Sequence, residues 1–181
     1  MENPMENKSP APSYIRRVYE RPRLCRALSV ISDIVVILTL AVFCIAVAWL
    51  FTASPWRALG MALICGVPYL AVSVFRKLFN APRPYELYDM SELCESAPHK
   101  TEGHSFPSRH VFSAFVIGTV LSFLCLPVGI AVLVFGALLA LFRVLLGIHF
   151  IRDVLAGALI GAASGLLGVL IINNTQLSVI F

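Results

Sequence analysis

The chain has 181 residues, 59% of them hydrophobic and only 13% charged, and its mean hydropathy is +0.85. An ordinary soluble domain carries about a quarter charged residues, so this composition excludes that class and predicts a protein of the lipid bilayer. The net charge of +4 implies attraction to anionic headgroups, and no nucleic-acid partner is expected.

Residues 1–13, rich in Pro, Asn and Ser, read as a disordered tail. Residues 14–27 form a basic juxtamembrane segment, in which the stretch YIRRVYERPRLCR holds five arginines. The first apolar helix is expected over 28–51. Its apolar stretch exceeds the 7–15 residues of a signal-peptide core, so it reads as a permanent anchor. A cut at Ser54-Pro55 leads to a second helix over 56–79, broken in charge only by Arg57.

Residues 80–108 are polar. Within them, 84–95 read either as a short interfacial helix, with Tyr85, Leu87, Tyr88 and Leu93 resting on lipid, or as a solvated loop. Two shorter helices follow over 109–126 and 128–147, divided at Pro127, with a buried hairpin as the alternative to two spans. The fifth helix, 151–172, carries Gly157, Gly161 and Gly165 at four-residue spacing and then Gly168, a pattern of close helix packing. Residues 28–181 are thus expected to be one all-α integral membrane bundle of about five transmembrane helices. The five cysteines contain no C-x-x-C pair and read as small apolar filler, giving neither a disulfide framework nor a zinc site.

Lys8 and the five arginines precede the first span, which predicts a cytoplasmic N-terminus. With alternating spans, Arg57 is the only one of the 14 Lys and Arg residues left outside. The segments 80–108 and 148–152 then fall on the same face as the N-terminus.

Three polar clusters share that face: Arg76 and Lys77 with Arg83-Pro84; Ser108, Arg109 and His110; and Arg143, His149 and Asp153. Ionisable groups at membrane depth are costly and usually face a protein interior or a watery cavity. His149 and Asp153 are one helical turn apart, so the carboxylate can hold one ring nitrogen and leave the other as a nucleophile or base. Ser108 stands at an N-cap position, where free backbone N–H groups and the helix dipole favour an anion. Arginine forks suit phosphate oxygens, and His110 stands where it can protonate a leaving oxygen. The chain offers no dense carboxylate set for magnesium or a two-metal site, so neither a metal nor a cofactor is expected.

With these residues in place, the chain resembles the type 2 phosphatidic-acid phosphatase family, which shares its site with vanadium haloperoxidases. The family motifs K-x6-R-P, P-S-G-H and S-R-x5-H-x3-D are matched in spacing by Arg76-x6-Arg83-Pro84, Pro107-Ser108-Arg109-His110 and Phe142-Arg143-x5-His149-x3-Asp153. The resemblance implies that His149 attacks phosphorus, Asp153 orients it, and His110 protonates the leaving group and later helps activate water. It implies too that Arg76, Arg83, Arg143 and Ser108 hold the phosphate oxygens. Three positions depart from the pattern: Arg76 replaces Lys, with Lys77 adjacent as a substitute; Arg109 replaces Gly, where it would crowd the site or grip a second anionic group; and Phe142 replaces Ser. His104 reads as a loop histidine and Arg152 as a headgroup charge.

The expected activity is a membrane phosphatase that removes a phosphomonoester from a lipid of the phosphatidylglycerol phosphate or phosphatidic acid type, through a phosphohistidine. Alternatives are an isoprenyl (undecaprenyl) diphosphate phosphatase and a non-catalytic lipid-phosphate binder. Many relatives resemble six-span proteins with an outward site. Five spans with the N-terminus inside would turn this one to the cytoplasmic face of the cell membrane.

Overall fold

The computed structural model describes residues 9–89 and 103–174. A two-residue strand β1 (Ser9–Pro10) precedes α1 (Ser13–Tyr19), α2 (Pro22–Ala53), α3 (Pro55–Phe79), α4 (Pro84–Leu87) and β2 (Tyr88–Asp89). After the 103–108 loop come α5 (Arg109–Leu124), α6 (Leu126–Leu145) and α7 (Ile151–Asn174). The fold is all-α, an integral membrane helical bundle; β1 and β2 make only a short parallel pairing, Ser9 with Tyr88 and Pro10 with Asp89. Residues 1–8 of the expected tail and 90–95 of the expected interfacial helix lie outside the described residues.

Prolines set the breaks. Pro22, Pro55 and Pro127 each stand in a helix's first turn, where the missing N–H costs nothing and φ is already helical. Ser54 and Cys125 before the new helices are extended, and for Ser54 the following proline requires it. Because Pro127 belongs to the first turn, α6 begins at Leu126, two residues earlier than expected. α2 also starts early, at Pro22, taking up Arg23 and Arg26 of the basic segment expected to precede it. At 32 residues it runs about 48 Å, longer than the ~30 Å hydrocarbon layer, so its basic end projects beyond the apolar region. α3 ends on Asn80, whose φ of 40° is a left-handed cap.

Among the described residues, four helices are long and apolar enough to cross a membrane, and α5 is a shorter apolar helix of 16 residues. α5 is also the hub. It packs on α6 and α7 above all, and on α3 and α2, burying Val111, Phe112, Val116, Val120 and Leu121. Protein rather than lipid surrounds it, which removes the length requirement that a lipid-facing span must meet. The outer faces carry the exposed apolar side chains of a lipid-facing surface, among them Ile37, Ile45 and Trp49 on α2 and Leu159 and Leu167 on α7.

The glycine ladder brings α7 against α5. A Cβ at Gly157 would lie 2.7 Å from the Ser108 carbonyl oxygen, and one at Gly161 would lie 2.5 Å from that of Phe112. Any side chain there forces the two backbones apart, as the spacing predicts.

Candidate active site

The three polar clusters meet at one end of the bundle: the C-terminal ends of α3 and α6, and the N-terminal ends of α5 and α7. α1 lies at the same end, with Ile15, Val18 and Tyr19 packed against Leu146 and Ile148. The basic segment and the site therefore lie at the same end of the bundle.

The turn between α6 and α7 sets His149. Gly147 takes a φ of 61°, and the amides of Ile148 and His149 both donate to the Arg143 carbonyl, at 3.0 and 3.2 Å. His149 is 3% exposed and Asp153 is fully buried. Asp153 Oδ2 lies 3.7 Å from His149 Nδ1 and accepts the Phe150 amide at 3.0 Å. A third residue joins them, one the sequence did not single out: Ser105, fully buried, donates to Asp153 Oδ2 at 2.5 Å, and its Oγ lies 3.3 Å from His149 Nδ1. With the hydroxyl hydrogen committed to the carboxylate, the Ser105 lone pairs face Nδ1. The consistent tautomer carries its proton on Nδ1 and leaves the Nε2 lone pair free. Burial pushes the imidazole down to about 4 against the opposing pull of Asp153, so the ring is neutral near pH 7.

Arg76 is buried and donates through Nη1 to the carbonyls of Pro107 and, at 3.4 Å, Ser105. Its own carbonyl lies 3.0 Å from His104 Nδ1. His104 thus ties the loop to α3, a part that its loop position did not suggest. Lys77, one residue further on, is exposed. Phe106 packs beside Phe75 and Phe79 of α3, with centroids 6.3 and 5.8 Å away, anchoring the loop from its other side.

Arg83 donates through Nε to the Gly103 carbonyl at 2.9 Å. Glu86 closes that corner by accepting the Arg83 and Gly103 amides, at 3.2 and 2.7 Å. The Ser108 amide donates to the Asp153 carbonyl at 3.0 Å, locking the start of α5 to that of α7. Ser108 is the N-cap of α5, but its side chain makes no cap. Its buried Oγ has no hydrogen-bond partner among the described residues, and neither has Arg143 Nε. Two polar groups expected to hold phosphate thus stand uncommitted in a buried setting, where an unsatisfied group is costly without a ligand.

Arg143 reaches another residue the sequence reading passed over, Asp33 of α2, with Nη2 to Oδ1 at 3.5 Å. Asp33 is the only acid between Glu20 and Glu86, and a lone carboxylate inside an apolar helix is the signal that could have found it. Nothing in a single sequence marks Ser105. Arg152 is largely exposed, stacks on Phe150 at 5.1 Å and lies 3.5 Å from Asp153 Oδ1.

Arg109 is exposed rather than wedged into the buried cluster. With His110 and Ser113 it lines a cavity of about 440 Å³ whose other walls are mostly apolar residues of α2, α3, α5 and α6, including Leu40, Phe43, Ala62 and Leu139, with Thr39 and Tyr69 among them. His110 lies within electrostatic reach of Arg143 and His149. An apolar slot in the bundle therefore ends at the charged cluster.

Buried histidine, aspartate and arginine thus gather at one end of a membrane helical bundle. Residues 57–177 match the model of the PAP2 superfamily, and the chain belongs to that family. Its fold is similar to that of the first transmembrane PAP2 type phosphatidylglycerolphosphate phosphatase from Bacillus subtilis, with a TM-score of 0.70 and 23% identity, over 91% of this chain and 85% of that one. It is also similar to Aquifex aeolicus LpxE, with a TM-score of 0.64 and 25% identity, over 86% of this chain and 92% of that one. No curated protein sequence matches the chain.

Proposed function

We propose that this protein is a metal-independent lipid phosphatase that hydrolyses a phosphomonoester of the phosphatidylglycerol phosphate or phosphatidic acid type through a phosphohistidine. The observation that carries the reading is the His149–Ser105–Asp153 arrangement, which leaves Nε2 as a neutral nucleophile at the end of the bundle that also holds the uncommitted donors of Ser108 and Arg143.

Nε2 of His149 attacks phosphorus, and the bond from phosphorus to the lipid oxygen breaks. His110 gives the departing oxygen its proton, and the Nδ1 proton, held toward Ser105 and Asp153, stabilises the charge that develops on the ring. In the second half, His110 takes a proton from water as the water oxygen attacks phosphorus. The P–N bond breaks, and inorganic phosphate leaves with His149 restored. Arg76, Arg83, Arg143 and Ser108 hold the phosphoryl oxygens, where donors act most strongly on charge that grows in the transition state. The apolar cavity beside His110 receives part of the lipid chain, which enters sideways from the bilayer.

The shared end of the basic segment and the site, together with the arginine count, supports five spans in the cell membrane, with the site at its cytoplasmic face. A reporter fused to the C-terminus is then active outside the membrane; a cytoplasmic C-terminus sinks that topology. A second reading, a diphosphate substrate such as an isoprenyl diphosphate, draws on the exposed Arg109 beside His110, which is free to grip a second phosphate.

The deciding assay measures phosphate release in detergent and EDTA from phosphatidylglycerol phosphate, phosphatidic acid and undecaprenyl diphosphate. Release that survives EDTA and vanishes in His149→Ala supports the reading and ranks the substrates. Activity that persists in His149→Ala overturns the phosphohistidine route.

A further inference from the structure

We propose that residues 9–20 form a strap that positions the nucleophilic histidine, with Tyr19 as its positioning residue. This inference rests on the reading of His149 as the nucleophile. The strap precedes the residues matched to the family, so the family motifs do not include it.

Two anchors hold it across the site end of the bundle. At its start, the β1 backbone pairs with β2, which follows the Arg83–Leu87 corner. At its end, α1 buries Ile15, Val18 and Tyr19, the i, i+3, i+4 stripe of one helical face, against Leu146 and Ile148. Arg16 and Arg17 remain exposed. A seven-residue helix has too few hydrogen bonds to persist alone, so its order depends on this docking.

The docked segment is the turn that carries His149. Tyr19 Oη donates to the Leu146 carbonyl at 2.9 Å, in a buried contact that links residues 127 positions apart. On the inner side of the same turn, the Ile148 and His149 amides are held by the Arg143 carbonyl. Gly147 sits between these attachments with a left-handed φ, and a glycine offers no side chain to lock its own conformation. The turn is therefore clamped from both sides: Arg143 holds it from within the bundle, and Tyr19 from the strap. Releasing the outer clamp lets the imidazole stray from in-line geometry, and small misplacements of a reacting group are costly in rate.

The test uses the full-length chain in detergent, with Tyr19→Phe, Tyr19→Ala and, as a stability control, Leu50→Ala in the core near the far end of α2. A short-chain phosphate ester as substrate separates kcat from KM. Tyr19→Phe is expected to lower kcat by about 2- to 10-fold, the size of one neutral hydrogen bond, with KM within about twofold. Tyr19→Ala lowers it further, and Leu50→Ala at an equal loss of Tm leaves it unchanged. Amide hydrogen exchange supplies a readout that needs no activity: both Tyr19 variants speed exchange at Ile148 and His149, and Leu50→Ala does not. Wild-type kcat and wild-type exchange in Tyr19→Phe, or equal effects in Leu50→Ala, overturn the strap. Accelerated exchange in a chain that releases no phosphate overturns the proposed function and leaves the clamp standing.

Discussion

Ser105 Oγ lies 3.3 Å from His149 Nδ1 while donating its own hydrogen to Asp153, so one hydroxyl joins the buried ring to the buried carboxylate. The direct ring-to-carboxylate separation is 3.7 Å, too long for a good hydrogen bond, which makes the serine the better-placed partner of Nδ1. Ser105→Ala is expected to reduce kcat by about 10- to 100-fold, the usual cost of losing a group that orients a reactive histidine, with little change in KM. Asp153→Asn should cost more, because it removes the charge that supports the imidazolium-like ring, even though the amide oxygen can still accept from Ser105 and the Phe150 amide. Steady-state kinetics of the two variants side by side check the order; equal activity of wild type and Ser105→Ala rules the serine out of the relay.

The pH profile follows from the burial of His149. Its folded-state pKa is lowered from the usual histidine value to about 4, and in the proposed mechanism the neutral ring is the reactive form. Activity attributable to this group is therefore complete at pH 7 and is lost only as pH falls through about 4. Stability has the same sign. Below about pH 6.5 the unfolded chain takes up this proton first, so stability falls as pH drops from there toward the folded value and levels off below it. The acid limb of kcat/KM, corrected for the phosphate ester's own ionisation near pH 6, should lie below pH 5. A limb at the ordinary histidine value contradicts the buried neutral ring.

Arg143 joins α6 to Asp33 of α2 through a single Nη2 contact and keeps a buried Nε unpaired. Asp33 orients the fork, and its own carboxylate is two-thirds exposed. Asp33→Asn should raise KM several-fold, on the order of one surface ion pair, and change kcat less. Arg143→Ala should lower kcat by about 10²–10³-fold, as removal of a transition-state donor does. Arg143→Lys should recover little, since an ammonium cannot reproduce the planar fork. Vanadate inhibition constants measured across the three variants provide a check on the binding part alone.

Gly161 faces the Phe112 carbonyl so closely that even a methyl group meets it at 2.5 Å. Gly161→Leu should prise α7 from α5 and with it Asp153 from the Ser108 amide, destabilising the protein by more than about 3 kcal/mol, beyond the range of ordinary overpacking. Gly66→Ala, where an added Cβ has nothing within 4 Å, is the matched control and should be tolerated. Thermal unfolding in detergent compares them.

The sequence by itself determined the membrane class, the five apolar helices and the motif residues, because hydrophobic length, proline punctuation and motif spacing are local properties written in consecutive residues. The glycine ladder was legible for the same reason: its four-residue period is a property of one helix. Boundaries shifted where charged or proline-bearing turns continued a helix past its apolar part, as at Pro22 and Leu126. The tertiary structure decided which groups meet. Arg76 enters the buried cluster and Lys77 does not, because one residue is about 100° of helix rotation. Arg109 stays exposed beside the cavity instead of filling the buried cluster. Ser105, Asp33, His104 and Tyr19 join the site's surroundings through contacts between elements far apart in the chain, and no periodicity or motif encodes such contacts. Three-dimensional packing alone brings a serine from one loop to a histidine 44 residues away.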